Sequence, residues 1–315
     1  MSNCLFCYQP LAANEQDFHA SCSKKIFGQP TPPELPYSEE DLEPLAKKVI
    51  QSQTSVTGVQ AKLSLHITGN QKEGNERRFT IVGLWGGYLL KPPTALYPQL
   101  PEVEDVTMHL AQLAKIKTAP HCLIRLQSGN LAFVTKRIDR TKNGKLAMED
   151  MCQLTERLTE DKYHGSYEQI AKAIQRHSVT PGLDVVNFFE LVLFSFLTGN
   201  ADMHLKNFSL LEQPGLGMVL SPAYDLVNTA LVHPADEEEM ALTLNGRKKK
   251  LTKQDFVAAM NTLKLEEKQQ EMIFNKMAKA WPHWQELIDR SFMSVEFKEQ
   301  YKSLLKERMD RSFQP

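Results

Sequence analysis

The sequence predicts an α+β protein of two lobes, β-rich in its first half and helical in its second, with a cleft between them. Two observations carry that expectation. From about Gly58 to Arg137, short β-branched and aromatic runs alternate with turn residues. After about residue 145 the pattern changes to helical periodicity, including an apolar run, Val185 to Leu197, that stops at Thr198-Gly199-Asn200. A length of 315 residues is enough for two lobes.

The elements follow in order. Residues 1–28 read as a compact Cys-containing module. Cys4-x2-Cys7 and His19-x2-Cys22 offer four soft or borderline ligands in two pairs, which suits a small structural Zn²⁺ site; a reduced, metal-free hairpin is the alternative. Gln29 to Pro36 is a proline-rich connector, extended and stiff. Ser38 followed by acids is a helix start that carries the pattern to Ile50. Lys62–Ile67, Arg78–Val82 and Gly87–Lys91 are strand-like, and Val103 to Lys115 is helical. Cys122–Leu126 and Leu131–Thr135 form a hairpin around Ser128-Gly129-Asn130. The β-rich lobe is thus expected over 29–140 and an all-helical lobe over 141–315, its last stretch running from Thr252 to Phe313.

Composition narrows the function classes. Net charge is −1 and 24% of residues are charged, so the chain is no general polyanion binder. The basic run Arg247-Lys-Lys-Lys250 reads as a solvated loop or hairpin. No apolar run reaches the length of a membrane span, and Met1-Ser-Asn-Cys does not begin a secretory leader, so a cytoplasmic protein is expected. Five cysteines, two of them isolated at Cys122 and Cys152, suit a reducing compartment.

The chemistry concentrates after the apolar helix. Asp202 and Asn207 are spaced D-x4-N, and Asp225 follows in Ala223-Tyr-Asp-Leu. Protein kinases use this order: an Asp accepts the proton of the substrate hydroxyl, an Asn a short way on holds Mg²⁺, and a later Asp holds the metal at the phosphates. Hard oxygen ligands suit that metal. Asp, Asn and Gly are also ordinary turn residues, but a rigid helix delivering this polar loop favours a site. Within the loop, His204 reads as a packing or hydrogen-bonding residue, and Lys206 as a candidate for steadying the transferring phosphoryl group.

The β-rich lobe must then supply a lysine, an acid on a helix and a phosphate-covering loop. Lys91 ends a strand, and Glu104, with Glu102 as runner-up, lies at the start of the next helix. Ser55-Val-Thr57-Gly58-Val59-Gln60-Ala-Lys62 precedes a strand and is the candidate loop, rich in hydroxyls where ordinary kinases place glycines.

Six ordered motifs, beginning with Ser55-Val-Thr-Gly-Val-Gln-Ala-Lys62 and Leu90-Lys91-Pro92, resemble the HipA family of toxin kinases. The others are Lys136-Arg-Ile-Asp139-Arg, Glu149-Asp-Met-Cys-Gln153, Gly199 to Ser209 and Ala223 to Leu226. The resemblance implies a bilobal protein-kinase-like fold that uses ATP and Mg²⁺. It makes Asp202 the catalytic base, Asn207 and Asp225 the metal ligands, and Lys91 the ATP-binding lysine. Gly58, Val59 and Gln60 would meet the phosphates, the Lys136 to Ile138 segment would hold adenine, and Ser55 and Thr57 would be autophosphorylated. A phosphate there adds about −1.5 to −2 charges and would repel the nucleotide.

Ser55 follows 54 residues, which matches the short HipT-type toxin of three-component systems. The partners then expected are a HipS-like small protein, a HipB-like helix-turn-helix antitoxin that alone contacts DNA, and an aminoacyl-tRNA synthetase as substrate. Export into a host cell stays open, as do two other readings: a small-molecule or lipid kinase, and a non-catalytic scaffold holding a repressor.

Overall fold

The computed structural model describes residues 2–52, 62–69, 77–82, 85–233 and 238–313. Its contacts divide the chain into two units, with the division falling inside one helix. The first comprises Met1–Asp105, Ala119–Ile138 and Arg290–Phe292; the second comprises Val106–Thr118, Asp139–Asp289 and Met293–Pro315.

The first unit contains α1 (Ala20–Phe27), α2 (Glu39–Ser52), strands β1 (Leu63–Thr68), β2 (Arg78–Val82) and β3 (Tyr88–Lys91), and the start of α3 (Leu100–Leu113). Strands β4 (His121–Arg125) and β5 (Leu131–Lys136) complete a five-stranded sheet of order β2-β1-β3-β5-β4, its neighbours antiparallel. Alternation decides which face is buried: Leu63 and Leu65 point into the core while Ser64 and His66 do not. The β4–β5 hairpin turns through Ser128-Gly129-Asn130, with Gly129 at φ +92°. Ser38 and Asp41 cap α2 reciprocally, the Ser38 N–H donating to Asp41 Oδ2 at 2.8 Å.

Residues 2–28 share this core. Leu5, Phe18, Ile26 and Phe27 pack with Leu65, Phe79, Leu90 and Leu123. The Leu123 N–H donates to the Leu5 carbonyl at 3.1 Å, so the N-terminal segment covers the free edge of β4. Arg125 pairs with Asp17 at 2.8 Å on the same edge.

The second unit opens with a β6 (Arg140–Thr141) and β7 (Gly144–Lys145) hairpin, then β8 (Met148–Asp150) and α4 (Met151–Leu154). Helices α5 (Tyr167–His177) and α6 (Pro181–Leu197) follow, then β9 (Ser209–Gln213), β10 (Gly217–Leu220) and α7 (Thr229–Val232). Three more helices, α8 (Lys253–Thr262), α9 (Glu267–Arg290) and α10 (Val295–Phe313), complete the described part of this unit. This region is helical as expected, but it is not all-helical: β10, β9 and β8 form a three-stranded antiparallel sheet. These strands are only three to five residues long, too short for an alternation to stand out between helices. The basic run at Arg247 does sit in a tight turn, closed by reciprocal Leu244 and Arg247 backbone bonds of 2.8 and 2.9 Å.

Helix α6 is the core of this unit. Val185, Phe188, Phe189 and every residue from Leu191 to Leu197 are buried. Pro181 starts it at a position where the lost N–H costs nothing. Buried Asp184 accepts from Ser178 Oγ, Thr180 Oγ1 and the Leu220 N–H, tying the helix start to β10. Trp284 of α9 meets Phe194 edge-on at 5.7 Å and donates its indole N–H to the Leu110 carbonyl at 2.8 Å. Among the described residues, no helix is long and apolar enough to cross a membrane.

Trp284 is fully buried, so truncation leaves a cavity and an unpaired carbonyl. Trp284→Ala is expected to cost about 3–5 kcal/mol in denaturant unfolding; a loss below about 1 kcal/mol would contradict this packing.

Candidate functional site

The end of α6 sets the loop that carries the predicted chemistry. Thr198 turns its hydroxyl back to the Phe194 carbonyl at 2.9 Å. Gly199 adopts φ +71°, and the Gly199 and Asn200 N–H groups donate to the Phe196 and Ser195 carbonyls at 3.1 and 2.8 Å. That pair of bonds closes the helix with a left-handed residue, which favours glycine. Space requires glycine as well, since a Cβ there would lie 2.8 Å from Asn228 Oδ1 and 3.0 Å from Leu304 Cδ2.

The loop beyond is held from two sides. The Ala201 N–H donates to Thr229 Oγ1 at 2.7 Å, and the Asp202 N–H donates to Asn200 Oδ1 at 3.2 Å. Tyr163 donates its hydroxyl to Asp202 Oδ1 at 2.6 Å, fixing one oxygen of the expected base. The His204 ring is buried and lies edge-on to Tyr163 at 5.0 Å. Burial lowers its pKa to about 4, so the ring is neutral at neutral pH.

Asn207 closes a 3₁₀ turn: its N–H donates to the His204 carbonyl at 3.0 Å, and its Oδ1 accepts from the His204 N–H at 3.3 Å. Its Nδ2 donates to Asp225 Oδ2 at 3.4 Å, so the two expected metal ligands meet. Asp225 adopts φ +60°, and the Ala223 N–H donates to the Lys117 carbonyl at 2.8 Å just before it. Asn207 turns its amide nitrogen to Asp225 while its Oδ1 accepts from the His204 N–H, so the hard donors these two residues have for Mg²⁺ are that carboxamide oxygen and the Asp225 carboxylate. Lys206 pairs with Asp150 at 2.6 Å, an acid that also caps α4. The β8–β9 pairing sets Asp150 opposite Ser209, two residues past Asn207.

In the first unit, Lys91 Nζ meets Glu104 Oε1 at 2.5 Å with both side chains at most 4% exposed. The lysine therefore pairs with Glu104 rather than Glu102, and it also lies 5.5 Å from the Phe133 ring centre. Burial raises the Glu102 pKa. The neighbouring Asp105 accepts from Tyr8 and His121, each at 2.7 Å. In the expected adenine segment, the Lys136 N–H donates to the Pro120 carbonyl and the Arg137 N–H to the Gly87 carbonyl, while Ile138 is half-buried. Ser55, Thr57, Gly58, Val59 and Gln60 lie outside the described residues.

Sequence reasoning missed Tyr163, Asp150 and Thr229. Tyr163 is 39 positions from its partner Asp202, and no spacing rule links them. Asp150 lies in the Glu149 to Gln153 motif, but its pairing with Lys206 comes with the β8–β9 pairing, whose short strands leave no signal in the sequence.

Solved structures identify the class of fold. HipA of the Shewanella oneidensis MR-1 toxin–antitoxin system, solved with HipB and its operator DNA, matches with a TM-score of 0.66 at 21% identity, over 85% of this chain and 70% of that one. The Helicobacter pylori proinflammatory kinase CtkA matches with a TM-score of 0.53 at 17% identity, over 71% of this chain and 87% of that one. The fold is thus that of HipA and CtkA. Residues 54–284 match the HipA-like C-terminal domain, and the chain belongs to that family.

Two relatives add to this. The Sinorhizobium fredii protein named "Putative kinase Y4dM" is 33% identical over 207 residues, which is 62% of this chain and 49% of that protein. A Haemophilus influenzae protein named "Putative kinase" is 29% identical over 250 residues, 73% of this chain and 69% of that protein. The chain thus spans about half the length of Y4dM.

Two outcomes test the site. Lys91→Met and Glu104→Gln should each destabilise by about 3–5 kcal/mol, because each removes one charge of a buried ion pair. The double variant should cost clearly less than their sum; additive losses in denaturant unfolding would refute the coupling. For His204, the folded pKa lies below the unfolded value of about 6.5, so the unfolded chain binds the extra proton. Stability should be at its full value above about pH 6.5 and decline as pH falls towards 4. His204→Gln should flatten that part of the stability–pH curve, and an unchanged slope would contradict the burial effect.

Proposed function

We propose that this chain is an ATP-dependent Ser/Thr protein kinase and the HipT-type toxin of a type II toxin–antitoxin system. The observation that carries the reading is the loop in which Asp202, held by Tyr163, stands beside an Asn207–Asp225 pair. The family match over residues 54–284 and the fold shared with HipA and CtkA support it.

The residues would act as follows. Asp202 accepts the proton of the substrate hydroxyl, with Tyr163 holding one carboxylate oxygen so that the other faces the nucleophile. Asn207 and Asp225 would hold Mg²⁺, and the bound ion would supply positive charge against the charge developing on the phosphates. Lys91 orients the ATP phosphates and is itself kept in place by Glu104. Lys206 keeps its ammonium in the loop through Asp150 and steadies the transferring group from there. His204 packs, since a neutral buried ring leaves the base role to Asp202. The Lys136 to Ile138 segment holds adenine, and Gly58, Val59 and Gln60 cover the phosphates.

The substrate proposed is a serine of an aminoacyl-tRNA synthetase, whose modification would stop translation and growth. A HipB-like antitoxin is the proposed partner, in line with the HipB and operator DNA bound to the S. oneidensis protein. A HipS-like protein is proposed beside it, as the partner expected of a HipT-type toxin. Domain limits of 1–28, 29–140 and 141–315 are proposed as the working division.

Mass spectrometry after incubation with Mg-ATP tests the reading. Wild-type protein should gain phosphate on Ser55 or Thr57, and Asp202→Asn should gain none. Phosphate on neither protein would sink protein-kinase activity and leave the small-molecule kinase or the scaffold.

A further inference from the structure

The four side chains Cys4, Cys7, His19 and Cys22 stand together at the N-terminus, and kinase chemistry uses none of them. Their ligand atoms all lie within 4.8 Å of one another, and all three cysteines are free. His19 Nδ1 lies 3.4 Å from Cys7 Sγ and 3.6 Å from Cys22 Sγ. A tetrahedral Zn²⁺ with a Zn–S bond near ~2.3 Å and a Zn–N bond near ~2.0 Å places a sulfur and a nitrogen ligand about 3.5 Å apart.

Local structure explains the convergence. Cys4 and Cys7 sit on a tight turn: the Tyr8 N–H donates to the Cys4 carbonyl and the Cys4 N–H to the Gln9 carbonyl, each at 2.9 Å. Tyr8 takes φ +60° to close it. His19 is the residue just before α1 and Cys22 lies three residues on, so both belong to the first turn of that helix.

The proton position at His19 discriminates between explanations. Nε2 lies 3.0 Å from the Pro10 carbonyl, which can only accept, so Nε2 carries a proton. In the neutral ring Nδ1 then presents one lone pair, which cannot accept from two thiols at once. One lone pair facing Cys7 and Cys22, with the Cys4 sulfur within 4.8 Å, suits a shared metal ion. The Nε2–H bond to a carbonyl, with the Glu15 carboxylate 3.8 Å from the same nitrogen, is the outer support usual for a zinc-bound histidine.

We propose that Cys4, Cys7, His19 and Cys22 bind one structural Zn²⁺ in a closed Cys₃His site. The ion staples the Cys4–Tyr8 turn to α1. Tyr8, fully buried beside that turn, donates its hydroxyl to Asp105, the residue next to the Lys91 partner Glu104. The staple thereby fixes the N-terminal segment on the β4 edge and against the start of α3. This inference is independent of the substrate assigned above.

The test is elemental analysis of the full chain purified without added chelator, followed by replacement with Co²⁺ under reductant. One zinc per chain is expected, with the visible absorption of tetrahedral thiolate-bound Co²⁺ after exchange. Chelator should lower Tm by at least about 5 °C, and added Zn²⁺ should restore it. Cys22→Ser should lose stoichiometric metal, while Tyr8→Phe should keep it. A chain that holds only traces of metal, gives no thiolate–Co²⁺ absorption and melts the same with chelator would overturn the site, leaving a cluster of thiol hydrogen bonds. The wild-type measurements decide the matter even if Cys22→Ser does not fold.

Discussion

Helix α6 is apolar on nearly every face, and a helix of that kind must stop where the chain needs polar groups. It stops at Leu197, and the left-handed Gly199 turns the backbone so that Asn200 stays buried while Asp202, two residues on, is only half-buried. The carbonyls freed at the helix end are taken by the Thr198 hydroxyl and by the Gly199 and Asn200 N–H groups. The Phe194, Ser195 and Phe196 carbonyls therefore need no solvent, and the loop can begin at a buried position. Thr229 then binds both the Ala201 N–H and the Gly199 carbonyl, which clamps the first three loop residues. The position of Asp202 thus follows from packing that involves no catalytic group.

Charge is handled differently in the two units. Lys91 and Glu104 are both almost fully buried, and a pair of this kind gains little net stability over an apolar pair. Its presence in the core is better explained by positioning than by folding energy. Asp105 beside it is also fully buried and satisfied by Tyr8 and His121. Around the loop that follows α6 the charges sit nearer to solvent: Lys206 is about a third exposed beside Asp150, and Asp202 is half-buried. Solvent screens that pair, so its value lies in orienting the lysine head more than in stability.

Much of this was legible in the sequence because periodicity reports burial directly. The alternation in Leu63–Thr68 marked a strand with one buried face, and the unbroken apolar run from Val185 marked a fully buried helix. Lys91 and Glu104 could be paired on paper because a strand end and the next helix start leave few options. Tyr163 could not, since its contact with Asp202 depends on where α5 is entered. The β8–β10 sheet escaped because its strands are short, and with it went the partner of Lys206. In the N-terminal segment, Cys-x2-Cys and His-x2-Cys spacing named the cluster, while the tautomer of His19 needed the position of the Pro10 carbonyl.

Asp225 carries the least comfortable backbone among these residues. At φ +60° an L-residue other than glycine pays steric strain on the order of 1–3 kcal/mol, although Asp and Asn tolerate it better than most. Glycine would relieve that strain and lose the side chain. Asparagine would tolerate the angle but supply no negative charge. Aspartate at this position keeps a carboxylate against Asn207 at the expense of backbone ease. The Ala223–Lys117 bond two residues earlier anchors the segment that holds the angle. Tyr8 and Lys115 hold similar positive angles in ordinary turns, so strain alone does not set Asp225 apart; what does is that its strained turn delivers a carboxylate to the Asn207 side chain.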